Sequence, residues 1–387
     1  MNRKKGISFI FLILFGFLIG MSSVHVVSGQ SQWEQFFEPL LPHISIYDNG
    51  TISPTTFPIE RIGSLYYLTG DIYNYGISIQ CDNIVLDGRN FSLKSNGSLN
   101  GEALSIIAHN VTIKNFIIDT VPVAVSLYGA SGIMGEKTEI KILNNTISNC
   151  NVAINCWGPS ANSFKENVLE NNRIAIKIKG EYFSNGQYFS RGYACLNIVE
   201  KNIIKNSDEG LHIEDANQTT IRFNLIAQNK YGATLNDVEG TVFTMNEFTA
   251  NTYGIHMIAP SSNNQFYQNN FDNNLETVTL QVQTTIIMGK SVVLNGLNET
   301  QNSWDNGIVG NYWSNYSGSG VYRIDENNID HYPLSQPVDI NSIARSELDN
   351  STRLIETQTI ITIAIITVMV VAIATLLLYR RHLKPLT

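Results

Sequence analysis

The sequence predicts an all-β protein: a right-handed parallel β-helix, a solenoid of ~22-residue coils, with a single C-terminal transmembrane helix. Three observations predict it. A unit of that length recurs through the middle of the chain, and each unit carries two short alternating apolar runs parted by an Asn- or Gly-bearing turn. Beyond the repeats, 19 consecutive residues, 360–378, carry no charge.

The repeat is visible when NNTISNCNVAINCW from Asn144, ENVLENNRIAIKIK from Glu166, KNIIKNSDEGLHIE from Lys201, FNLIAQNKYGATLN from Phe223, MNEFTANTYGIHMI from Met245 and QNNFDNN from Gln268 are aligned. One Asn recurs at Asn145, Asn167, Asn202, Asn224, Asn246 and Asn269, in steps of 22, 35, 22, 22 and 23. The long step is one period plus a 13-residue insertion that keeps the frame. An earlier copy starts at Lys114 and an opening coil at Asp82. The alternating runs read as strands, because successive side chains point to opposite faces. The period is too short for two packed helices, no unit has a continuous 3.6-residue stripe, and the frame of a leucine-rich repeat is absent. One coil cannot bury its own inner face, so coils stack around a shared apolar interior. The recurrent Asn is expected to supply left-handed backbone at the turn and to hydrogen-bond its counterparts in adjacent coils.

The flanks divide in order. Residues 1–29 combine a basic start, an apolar run and a small-residue exit, the pattern of a secretory signal. Residues 30–80 hold Pro39, Pro42, Pro54 and Pro58 among apolar residues and read as an N-terminal cap, since a solenoid end must be covered. The coils occupy 81–274, and 275–334 supplies the final coils and a C-terminal cap with a Trp/Tyr motif. Residues 335–358 form a polar stalk, 359–379 the membrane helix, long enough for the ~30 Å hydrocarbon layer, and 380–387 a basic cytoplasmic tail. The result is an extracellular ectodomain anchored at the cell surface.

Composition narrows the function. Charged residues are 15%, the net charge is -8, and Asn occurs 44 times. No basic patch is available to neutralise phosphates, so no nucleic-acid partner is expected. Four cysteines in 387 residues exclude a disulfide scaffold. Nine Asn-x-Ser/Thr triplets, headed by Asn49, Asn90, Asn96, Asn110, Asn144, Asn217, Asn298, Asn315 and Asn350, permit glycosylation of an exported chain.

The repeats resemble the right-handed parallel β-helix group that includes pectate-lyase-like carbohydrate-binding proteins and sugar hydrolases, and NosD-like periplasmic proteins. The block Gly310-Asn311-Tyr312-Trp313-Ser314-Asn315-Tyr316, followed by Asp330-His331-Tyr332-Pro333-Leu334, is similar to the closing block of NosD-like proteins, archaeal surface members above all. The resemblance spans about 82–334 and implies the fold. It leaves activity open, because the fold hosts lyases, hydrolases, epimerases and plain binding proteins. The NosD resemblance also implies copper-site maturation as one possible role.

Strand register places the functional face. One outward column is expected at Ser126, Asn155, Lys177, His212, Thr234 and His256, and a second at Tyr128, Trp157, Lys179, Glu214, Asn236 and Ile258. Between them Leu127, Ile154, Ile176, Ile178, Leu211, Ile213, Leu235 and Met257 alternate inward. The insertion after Lys179 brings Tyr182, Tyr188 and Arg191 beside this face. Polar groups flanked by aromatic rings suit a sugar chain, whose hydroxyls need hydrogen-bond partners and whose ring faces stack on aromatic planes. The expected ligand-binding set is Trp157, Lys177, Lys179, Tyr182, Tyr188, Arg191, His212, Glu214, Asn236 and His256, and the expected partners are polysaccharides or glycoprotein glycans.

Catalysis in the same groove would draw on Lys177, Asp208, Glu209, His212 and Glu214, giving a lyase, epimerase or hydrolase. No acid ladder recurs across adjacent coils, and Asp208-Glu209-Gly210 also reads as a turn, so a noncatalytic role is preferred. No cofactor or metal is expected. His212 and His256 sit two coils apart, roughly 10 Å, too far for one copper ion. Cys156 aligns with Ile178 as a buried thiol, and no disulfide pair is nominated.

Overall fold

The computed structural model describes residues 41–97, 100–128, 137–184, 189–192, 194–287, 290–295 and 300–340. The segments expected as signal (1–29), the start of the cap (30–40), the rest of the stalk (341–358), membrane helix (359–379) and tail (380–387) lie outside the described residues. Among the described residues no helix is long and apolar enough to cross a membrane.

The described chain is a parallel β-helix. Three sheets of 12, 10 and 10 strands run the length of the stack, and the chain visits them in turn. The long sheet carries the face of interest. Its order includes Val123–Tyr128, Val152–Trp157, Ile174–Lys179, Glu209–Asn217, Tyr231–Glu239, Tyr253–Ile258 and Glu276–Gln281, each parallel to the next. Parallel stacking is already present at His43–Ile46 and Gly76–Ile79, within the stretch assigned by sequence to a cap.

The interior follows from the alternation. Ile154, Ile176, Leu211, Ala233 and Ile255 stand in register, as do Cys156, Ile178, Ile213, Leu235 and Met257, and none of these ten is more than 1% exposed. Each large aliphatic chain withdrawn from water in this way contributes roughly 1.5–3 kcal/mol. Strict alternation is broken at one place per rung. Ala124, Ala153, Ala175, Gly210, Gly232 and Gly254 are buried together with the inward residue that follows them. The rungs approach so closely there that a Cβ on Gly210 would lie 2.6 Å from the Gly232 carbonyl oxygen, and one on Gly232 would lie 2.5 Å from that of Gly254. Only small residues fit this kink.

The recurrent Asn forms a buried ladder. Asn202 donates its backbone N–H to Asn224 Oδ1 at 2.9 Å and its side-chain Nδ2 to the same oxygen at 2.9 Å, and Asn224 repeats both contacts on Asn246 at 3.1 and 2.9 Å. The ladder runs from Asn145 through Asn167, Asn202, Asn224, Asn246 and Asn269 to Asn311. One expectation is corrected. The left-handed residue is the one before the Asn: Asn144, Glu166, Lys201, Phe223, Met245 and Gln268 have φ of +51° to +57°. The Asn itself points inward, and its amide binds backbone groups that the sharp corner leaves unpaired. Further corners carry the same device, as Asn229–Asn251–Asn274 and Asn264–Asn302 show.

The C-terminal end is closed by aromatic rings. Phe243, Phe266 and Trp304 stack at 4.7 and 4.3 Å, and Phe248, Phe271, Trp313 and Tyr322 at 5.2, 4.6 and 4.1 Å. Trp304 and Trp313 are buried, so they cover the last coil and offer no platform to a ligand. All four cysteines are free, and burial pushes the Cys150 and Cys156 thiols up to about 12.

Candidate functional site

The two expected columns are present in register. Asn155, Lys177, His212, Thr234 and His256 are successive partners, and so are Trp157, Lys179, Glu214, Asn236 and Ile258. The first column is not uniformly solvent-facing, because Ser126 is fully buried and Thr234 is 6% exposed. The rung kink adds a third column, Val152, Ile174, Glu209, Tyr231 and Tyr253. With Gly210 absorbing one extra inward position, Glu209 faces outward three residues before His212.

That displacement builds a compact charge network. His212 Nδ1 lies 2.8 Å from Glu209 Oε2, and His212 Nε2 lies 3.6 Å from Glu214 Oε2. Lys179 Nζ closes on the same Glu214 oxygen at 3.0 Å. Burial alone would lower the His212 imidazole, but the hydrogen bonds to Glu209 and Glu214 outweigh it and hold it above its usual value. The His212 contact, opposed by burial and reinforced by Lys179, pulls Glu214 down to about 2. Burial opposes ionisation of Glu209, yet its bond to His212 keeps its carboxyl below the ordinary range. Beside them Lys177 is lowered, first by burial and then by Lys179. It forms no ion pair among the described residues.

Aromatic surface flanks the network on both sides. Trp157 is 47% exposed and, with Val152, Asn155, Lys177 and Lys179, lines a cleft of about 240 Å³. On the other side Tyr231 and Tyr253 stack at 4.9 Å with their planes 14° apart, and His256 packs against Tyr231 at 5.2 Å. His256 also meets Thr279 Oγ1 at 2.7 Å, and its own imidazole is lowered by burial. The tyrosine pair went unnoticed in the sequence reading. Its signal was available, because both tyrosines precede the kink glycine one period apart, as Tyr231-Gly232 and Tyr253-Gly254.

One expected acid stands apart from the network. Asp208 is exposed in the turn before the strand, and the neighbouring Asp215 is buried in left-handed backbone. Tyr182 and Arg191 are paired across an antiparallel hairpin formed by Glu181–Ser184 and Phe189–Gly192, and Tyr188 lies outside the described residues.

The fold and face together define a parallel β-helix with a polar, aromatic-flanked lateral sheet. Within it, residues 181–318 match the family model described as periplasmic copper-binding protein (NosD). No curated protein matches the sequence. Among solved structures, the A-module of the mannuronan C-5 epimerase AlgE6 of Azotobacter vinelandii is similar at 15% identity and a TM-score of 0.41, over 71% of this chain and 89% of that one. The periplasmic alginate epimerase AlgG aligns at 12% identity and 0.34, over 76% of this chain and 84% of that one. The enzymatically active domain of tailspike protein 2 of bacteriophage CBA120 aligns at 11% and 0.40, and the chain spans 50% of its length.

The copper named in the family description can be tested against the donors present. No group of three or more His, Cys, Asp or Glu side chains among the described residues is placed to hold a metal ion. His212 has both ring nitrogens turned toward carboxylates, and His256 is two rungs away. Cys156 and Met257, soft ligands in the register column of Ile213, are buried in the core. This donor set does not fit copper.

Proposed function

We propose that this is an exported, membrane-anchored surface protein whose lateral face binds glycans without turning them over. The observation that carries this reading is the paired arrangement on one sheet: a charge network of Lys179, Glu209, His212 and Glu214 with the stacked Tyr231 and Tyr253 beside it. Charged groups locked by one another form a fixed pattern of donors and acceptors, and the ring pair gives a sugar an apolar plane. The same network argues against hydrolysis. A glycosidase needs one carboxyl protonated near neutral pH, whereas Glu209 and Glu214 are both held ionised.

Export rests on residues 1–29 and the anchor on 359–379, and the word periplasmic in the description of the matched family agrees with that side of the membrane. A second reading, a polysaccharide lyase or epimerase, is favoured by one observation. Lys177 is lowered by burial and by Lys179, as a proton-abstracting base requires.

A glycan array on the purified ectodomain, followed by product analysis on uronic-acid polymers, separates the readings. Binding without products, weakened in Glu214→Ala, is the expected result. Products that vanish in Lys177→Ala would replace the binding reading with the enzymatic one. Membrane fractionation tests the anchor, because truncation before residue 359 should release the protein to the medium.

A further inference from the structure

Seven of the nine Asn-x-Ser/Thr triplets have their Asn among the described residues, and their local geometry differs. At Asn110 and Asn144 the third residue is committed to the neighbouring rung: Thr112 N–H donates to the Ile84 carbonyl at 2.9 Å and Thr146 N–H to that of Phe116 at 2.9 Å. At Asn90 the third residue, Ser92, donates its N–H to Asp71 Oδ1 at 2.7 Å. Asn217 is only half-exposed, and Thr219 after it is buried.

Asn49 is arranged differently. Its Oδ1 accepts both the N–H of Thr51 at 2.9 Å and the Oγ1–H of Thr51 at 2.7 Å, and the side chain is exposed. The turn is held from both sides. Tyr47 N–H donates to Thr51 at 3.0 Å, and Gly50 N–H to Tyr47 at 2.8 Å. The Gly50 carbonyl accepts from Arg61 Nη1 at 2.6 Å and from the Tyr66 hydroxyl at 2.8 Å. Gly50 adopts φ +77°, a conformation that suits glycine.

We propose that in the folded protein Asn49 is an N-glycan acceptor preferred over Asn90, Asn110, Asn144 and Asn217, with a polyprenyl-diphosphate-linked sugar as donor. In the transfer, Nδ2 bonds to the sugar C1, the C1–O bond to the diphosphate breaks, and the polyprenyl diphosphate leaves with the bonding electrons. Nδ2 gives up one proton to a base of the transferase. The two Thr51 hydrogen bonds stabilise the negative charge that Oδ1 gains as that proton leaves. At the other triplets with a committed third residue, this pair of donors could form only by breaking inter-rung bonds. Four strands of the long sheet lie between His43–Ile46, which precedes the turn, and Ile174–Lys179, so a glycan on Asn49 leaves the lateral face open. In the cell the modification rests on the export reading.

The test removes that dependence. The folded full-length chain in detergent is incubated with a single-subunit oligosaccharyltransferase and a polyprenyl-diphosphate sugar, and occupancy is read by glycopeptide mass spectrometry. Asn49 should be filled at least about fivefold faster than Asn110, Asn144 or Asn217, and the preference should vanish in urea-unfolded chain. Thr51→Ser should retain the modification and Thr51→Val should lose it. Equal filling of all sites in the folded chain, or an empty Asn49 beside a modified control peptide, would overturn the proposal. Residues 1–29 recovered intact on a chain left inside the cell would defeat the export reading and leave the in vitro preference standing.

Discussion

His212 sits between two carboxylates, and the network loses stability both as pH rises and as it falls. Its pKa is raised in the folded chain, so its stabilising contribution is complete below its ordinary value of 6.5 and is lost as pH rises through the folded value. Glu209 and Glu214 are lowered, so theirs is present above the ordinary 4.5, and that of Glu214 is lost as pH falls through about 2. The network therefore stabilises most between 4.5 and 6.5. His212→Gln, which gives up the charge-assisted contacts to Glu209 and Glu214, should cost roughly 1–3 kcal/mol near pH 5.5, with the gap from wild type closing as pH rises. Thermal melts of both proteins from pH 5 to 9 check this, and a constant gap across that range would contradict it. The tyrosine pair makes a separate prediction. Tyr231→Ala with Tyr253→Ala should weaken glycan binding about tenfold with little change in melting temperature, because the rings are only half-buried and lie outside the core.

At the scale of the element, the Asn ladder and the closing block do work that apolar packing cannot. Asn224 receives two donors from Asn202 and gives its own to the Val199 carbonyl at 2.9 Å and to Asn246 Oδ1 at 2.9 Å. Asn224→Ala leaves both Asn202 donors and the Val199 carbonyl without this buried partner, a cost of roughly 3–5 kcal/mol at 1–3 kcal/mol per orphaned group, offset by partial relaxation. Asn327→Ala, on the exposed surface, should be close to neutral, and urea unfolding of the two variants gives the comparison. In the closing block Asp330 is fully buried and accepts from the Asn311 N–H and the Trp313 indole N–H, both at 2.8 Å, and from the Tyr332 N–H at 3.0 Å. A Cβ on Gly310 would lie 1.8 Å from Asp330 Oδ1. Gly310-Asn311-Tyr312-Trp313 and Asp330 are thus held together by a steric and a hydrogen-bonding fit. Gly310→Ala should lower the midpoint of urea unfolding more than Gly318→Ala, where the chain leaves open space.

For the whole molecule, stability is carried by contacts between neighbouring rungs, which makes the stack tolerant of whole-period changes and intolerant of fractions. Deleting residues 223–244, one period of 22, would bring Asn202 against Asn246 and Leu211 against Ile255, preserving ladder and core. Deleting 223–233 would set turn residues against strands. The first variant should melt cooperatively with β-rich circular dichroism, and the second should be unfolded or aggregated. A folded half-period deletion would contradict the nearest-neighbour account.

The stacking frame, the inward and outward alternation, and the placement of Lys177, His212, Lys179 and Glu214 on one face were all legible in the sequence. They depend on the two-residue alternation that follows the kink in each 22-residue period, and both are local patterns. The kink at Gly210, Gly232 and Gly254 was not read, because its cause is the approach of the next rung's carbonyl. Glu209 joins His212 only through that kink, and Asp215 leaves the surface through the left-handed turn that follows. Sequence by itself determined which residues could line the wall and which would fill the interior. Tertiary structure alone decided which of the wall residues touch, because strand bends and side-chain contacts are set by the rungs above and below.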